Sequence, residues 1–112
     1  MFPSGAWHGY WEQVVWGRQR MEPLVLRFAD GVVEGEGEDC IGPFTFTGLY
    51  EADGTVTMIK QYLGKHTVQY QGTYDGEGTI SGRWSIGSAW SGPFALSPMH
   101  ARASADAPIE SL

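Results

Sequence analysis

The chain reads as an all-β protein, a small eight-stranded antiparallel up-and-down β-barrel over residues 1–98. Three observations carry that expectation. Apolar and polar residues alternate with period two through most of the sequence, and no segment holds the 3.6-residue spacing of a helix. Asp-Gly pairs at residues 30, 53 and 75 recur after 23 and 22 residues, an interval that fits two strands and their turns. Sixteen glycines accompany five Trp, five Tyr and five Phe, as in a tightly turned sheet whose rings pack over glycines. Closing consecutive hairpins into a barrel removes the exposed edges that an open sheet would leave.

The strands follow in order. Gly5 to Trp16 reads as the first, with Trp7, Gly9, Trp11, Gln13 and Val15 on one face and His8, Tyr10, Glu12, Val14 and Trp16 on the other. Gly17 to Met21 reads as a polar connection. Leu24, Leu26 and Phe28 then alternate with Val25 and Arg27 up to the Asp30-Gly31 turn. Pairing Phe28 with Val33 sets Leu26 against Gly35 and Leu24 against Gly37, sends Glu34, Glu36 and Glu38 outward and brings Asp39 inward. Cys40 to Pro43 turns the chain into Phe44 to Tyr50. The Ala52-Asp53-Gly54 loop then pairs Tyr50 with Val56, Gly48 with Met58 and Phe46 with Lys60. A loop around Leu63 to Lys65 leads to a strand with His66, Val68, Tyr70, Gly72 and Tyr74 on the inner face. Ile80, Gly82, Trp84 and Ile86 face the core from the next strand. A loop carrying Trp90 precedes a short final strand, Pro93 to Leu96. Residues 99–112 are small and polar, and are expected to form a flexible tail.

Composition narrows the function classes. At 112 residues the chain makes one domain with one modest core. A formal charge of −6 argues against a nucleic-acid backbone and against an anionic membrane surface as partners. The single cysteine, Cys40, excludes an intrachain disulfide, and its acidic neighbours disfavour a reactive thiolate. The start of the chain has neither the basic residues nor the apolar run of a signal peptide, so a soluble, cytoplasmic protein is expected.

Lys60 is the most informative side chain, because the register places an ammonium inside the barrel between Phe46 and Val68. It has two available roles: meeting the carboxylate or phosphate of a small ligand, or pairing internally with Asp39. Tyr50, Tyr62, Tyr70 and Tyr74 offer rings and hydroxyls to a ligand or fill the interior. His66 lies at the same barrel end as Asp39 and Tyr62. His8, His66 and His100 lack metal-ligand spacing, and the glutamates of residues 34–38 lack the pattern of a calcium loop, so no metal or cofactor is expected. No catalytic constellation is apparent.

Gly9-Tyr10-Trp11-Glu12-Gln13, followed by a strand, an Asp-Gly turn and Gly35, resembles the opening of the avidin and streptavidin family. Residues 66–74, HTVQYQGTY, and Ile80 to Trp84 resemble later strands of that family, so the likeness covers most of residues 5–86. It implies a calycin-like barrel with a ligand in its mouth, and Trp84 matches one of the family's tryptophan walls. The biotin site itself is mostly unmatched. Gln13 stands where the family has asparagine, Tyr70 where it has another tryptophan wall, and Val68 where it has a hydroxyl.

The first functional expectation is a non-enzymatic barrel binding a small, possibly anionic, molecule. Lys60, Asp39, His66, Tyr50, Tyr62 and Tyr70 would hold its polar part, and Trp11 and Trp84 its apolar part. The alternative is an interaction module with a filled core that homo-oligomerises through Tyr10, Trp16 and Trp90. A barrel isomerase or cyclase using Lys60, His66 or a tyrosine ranks third.

Overall fold

Each strand hydrogen-bonds to its neighbour in sequence, and the last returns to pair with the first. The computed structural model describes residues 2–99, and these form a closed antiparallel barrel. Its strands are β1 (Gly5–Gln13), β2 (Gly17–Ala29), β3 (Val32–Asp39), β4 (Gly42–Tyr50), β5 (Thr55–Tyr62), β6 (Thr67–Tyr74), β7 (Ile80–Ile86) and β8 (Trp90–Pro98). The expected tail lies outside the described residues, apart from Met99.

Local turn chemistry sets the registers. Asp30 and Gly31 both have positive φ, 54° and 80°, as a two-residue hairpin turn matched to strand twist requires. The turn holds Phe28 opposite Val33, Leu26 opposite Gly35 and Leu24 opposite Gly37. In the next hairpin but one, Phe46 pairs with Lys60, and Lys60 pairs in turn with Val68. Every second residue therefore points inward, Lys60 and Asp39 among them.

Two sequence expectations change. The first strand stops at Gln13 rather than Trp16. The Gln13 side-chain oxygen accepts the backbone N–H groups of Val15 and Trp16, at 2.8 and 2.9 Å, and folds the chain over. Val14, Val15 and Trp16 thus form a hairpin tip, and residues 17–21 are the start of β2, not a connection. An irregularity between Trp7 and Gly9 then keeps Met21 inside, opposite Gly9. The final strand is also longer than Pro93 to Leu96, because Trp90 to Pro98 pairs along both β7 and β1.

The two barrel ends differ. At one end Phe2 folds over the opening, with ring centroids 5.0 Å from Phe28, 4.8 Å from Tyr50 and 4.7 Å from Tyr74. That plug closes the end where β2, β4 and β6 finish. The opposite end, where β1, β3, β5 and β7 finish, holds the cavity.

Candidate functional site

The site is built from a buried polar cluster and an apolar pocket above it. Asp39, the last residue of β3, is fixed by its own turn: one carboxylate oxygen accepts the Ile41 N–H at 2.9 Å. The other accepts Lys60 Nζ at 2.7 Å, the Tyr62 hydroxyl at 2.7 Å and Trp11 Nε1 at 3.1 Å. Both charged side chains of the ion pair are fully buried, although the backbone of Asp39 is partly exposed.

All three ammonium protons of Lys60 have acceptors. Besides Asp39, Nζ lies 3.2 Å from the Tyr70 hydroxyl and 3.4 Å from Met21 Sδ. The faces of Phe44 and Tyr62, at 4.3 and 4.7 Å, add cation–π attraction. Among the described residues, no buried side-chain nitrogen or oxygen lacks a hydrogen-bond partner.

Electrostatics follow from this packing. Burial by itself would raise the Asp39 carboxyl, but the Lys60 charge and the hydrogen bonds from Lys60, Tyr62 and Ile41 outweigh it and hold it below the ordinary value. Burial pulls Lys60 down to about 8 against the opposing pull of Asp39, so the ion pair persists at neutral pH. Burial and then Asp39 push the Tyr62 and Tyr70 hydroxyls well up. Partial burial, and then Asp39, likewise raise the Cys40 thiol, which disfavours thiolate chemistry there.

An acid-stability prediction follows. The unfolded-state carboxyl titrates near 3.8 and the folded one below it, so the unfolded chain binds more protons between those values. The stabilisation from Asp39 is complete once pH is well above 3.8 and is lost as pH falls through the folded value. The carboxyl carbon shift of Asp39, followed by NMR, should titrate with its midpoint below 3.8. A titration midpoint above 3.8 would contradict the structure.

Above the cluster lies a cavity of about 310 Å³, open at the barrel end. Trp11, Trp84, Tyr62, Tyr70, Val68, Ile41 and Ile86 wall it, and Gln13, Val15, Trp16, His66 and Trp90 complete its rim. Trp11 stands edge-on to Trp84 at 6.0 Å and tilted to Trp16 at 6.2 Å, making a continuous indole wall. Trp84 is held by its Nε1–H bond to the Glu12 carbonyl at 2.9 Å. Little in this lining is polar. The Gln13 side-chain nitrogen and the ring nitrogens of His66 make no hydrogen bond among the described residues, and His66 rests 5.1 Å from the Tyr62 ring.

Of the residues singled out from sequence, the structure brings Trp11, Tyr62, His66, Tyr70 and Trp84 to the cavity. Lys60 and Asp39 lie behind its wall and do not line it. Tyr50 is at the other end, under Phe2. Sequence reasoning did not assign Gln13, Val15, Trp16, Ile41, Val68, Ile86 or Trp90 to a ligand site, and offered Trp16 and Trp90 only as an oligomer contact. Alternation does put Gln13 and Val15 on the face of Trp11 and Val68 and Ile86 on the inner face, but no periodicity marks the turn residue Ile41. Among the described residues, no group of three His, Cys, Asp or Glu side chains is placed to hold a metal ion. No protein-family model matches this chain, and no curated protein matches it.

Proposed function

We propose that this protein is a non-enzymatic barrel that binds a small, predominantly apolar molecule in its open mouth. The observation that carries the reading is the 310 Å³ cavity, walled by indoles and aliphatic side chains, lying on a polar cluster whose donors are already used. Binding sites of this kind combine apolar walls with few polar groups. Because Asp39 neutralises Lys60, the charge that would favour an anionic ligand is spent, and a neutral ligand fits better. Gln13 and His66 at the rim are the side chains available to a single polar substituent. The resemblance of residues 9–13 and 66–74 to the avidin and streptavidin family supports a ligand in this mouth. Gln13, Val68 and Tyr70 argue for something other than biotin.

Titration with the neutral apolar fluorophore N-phenyl-1-naphthylamine tests the reading. Saturable binding of one probe per chain is expected, with quenching of tryptophan emission. Trp84→Ala should weaken it about ten-fold or more, as expected for loss of a large aromatic contact. Val68→Phe, which narrows the cavity without removing a wall, should weaken it as well. Probe binding that is unsaturable, or indifferent to both changes in folded protein, would overturn the proposal.

The homo-oligomer alternative loses part of its patch. Tyr10 is on the outer wall, with the Arg18 guanidinium 3.8 Å over its ring, whereas Trp16 and Trp90 are at the mouth.

A further inference from the structure

The turns of the two barrel ends carry opposite chemistry. At the plugged end they present Asp30, Glu51, Asp53, Asp75 and Glu77, all exposed, with no lysine or arginine among the turn residues. At the open end the turns between β1 and β2, β3 and β4, β5 and β6, and β7 and β8 contain no carboxylate. Their apolar side chains instead stand in solvent: Val14 is 97% exposed and Val15 78%, with Trp16 at 57%, Leu63 at 55% and, at the start of β8, Trp90 at 54%. Lys65 is the one cation of those turns.

We propose that the open end docks on a lipid–water interface, with Val14, Val15, Trp16, Leu63 and Trp90 entering the headgroup and upper acyl region. Aliphatic tips flanked by tryptophan are the side chains that such an interface accepts. The tips belong to separate hairpins around a hole. A fluid bilayer conforms to separate projections, whereas a rigid partner would need a matching ring. The charge distribution sets the orientation, since the five carboxylates of the plugged end point away from the lipid. The overall charge of −6, which argues against membranes when read as a total, is therefore not carried by the turns of the docking face. Only the end inserts, because the outer wall, although it exposes Val32, Leu49 and Ile59, also carries charged and amide side chains: Arg27 paired with Glu36, Arg18 with Glu12, and Gln69, Gln71 and Arg83. Docking in this pose would open the cavity towards the membrane, a consequence that rests on the mouth-binding reading; the docking itself does not.

Flotation of the full chain with phosphatidylcholine vesicles tests the proposal. The protein should float with the vesicles, and its tryptophan emission should shift to the blue. Val14→Glu with Leu63→Glu should lower the vesicle-bound fraction about ten-fold, since two apolar contacts are replaced by charges. Neither residue lines the cavity, so binding of N-phenyl-1-naphthylamine in lipid-free solution should be unchanged, which separates this test from that of the mouth ligand. Val32→Glu with Leu49→Glu, a cross-strand pair on the outer wall, should leave flotation intact. Three results would overturn the proposal. The wild-type chain stays in the aqueous fraction; the wall variant loses as much binding as the tip variant; or the tip variant dissolves a dimer present without lipid, in which case a second copy covers the tips.

Discussion

Replacing Asp39 with alanine should lower the free energy of unfolding by about 3–5 kcal/mol, the range for breaking one side of a buried ion pair. The loss comes from the partner left behind. Lys60 would keep only the Tyr70 hydroxyl and the Met21 sulfur as acceptors, and Tyr62 and Trp11 would each lose theirs. Lys60→Met should also destabilise, but less, because Asp39 retains the Tyr62, Trp11 and Ile41 donors. Joining Lys60→Met to Asp39→Asn removes both charges and leaves an amide oxygen for Tyr62 and Trp11. This double variant should be more stable than either Asp39→Ala or Lys60→Met. Urea unfolding of the four proteins gives the comparison. An Asp39→Ala loss of under about 1 kcal/mol would place the pair among exposed salt bridges and contradict its burial.

Gly82→Ala should cost about 3 kcal/mol, at the upper end of overpacking penalties. This reverses the usual sign, since glycine-to-alanine changes at compatible positions stabilise by about 0.4–1 kcal/mol through the unfolded chain. At Gly82 an added methyl would collide with the Gln71 carbonyl on the neighbouring strand and crowd the backbone of Gly72. Gly72 and Gly82 pair directly across β6 and β7, and the end of the Phe94 ring lies 2.9 Å from where a Gly72 methyl would be. The nearest atoms that a Gly82 methyl would meet are all backbone of the paired strand, which leaves no inexpensive relaxation. Ser81→Ala, next door but on the exposed outer face, is the control and should change stability by under about 0.5 kcal/mol. A Gly82→Ala protein as stable as that control would mean that the strands separate more easily than their packing implies.

Much of this architecture was legible in the residues. The pairings across β2–β3, β4–β5 and β5–β6 follow from alternation and from turns whose length and φ preferences are local properties. Asp30-Gly31 and Ala52-Asp53-Gly54 specify their hairpins with no knowledge of the rest of the chain. The inward placement of Asp39 and Lys60 came from the same count, because a register once set assigns every side chain to a face. The tip at Val14 to Trp16 was not legible. Its apolar residues continue the alternation of β1, and only the Gln13 side chain, bonded to the turn's own backbone, ends the strand.

Period two determined which side of the sheet each residue occupies, and the hairpin turns determined its neighbours across the strands. Depth and company along the barrel axis were decided only by the tertiary structure. Closure joins β1 to β8 and brings the Trp84 indole to the carbonyl of Glu12. The bulge in β1 and β2 sets Met21 beneath Lys60, and Asp39 on β3 meets Trp11 from β1 and Lys60 and Tyr62 from β5. These contacts join residues far apart in sequence through the stagger and curvature of a closed sheet, and no local periodicity encodes either quantity.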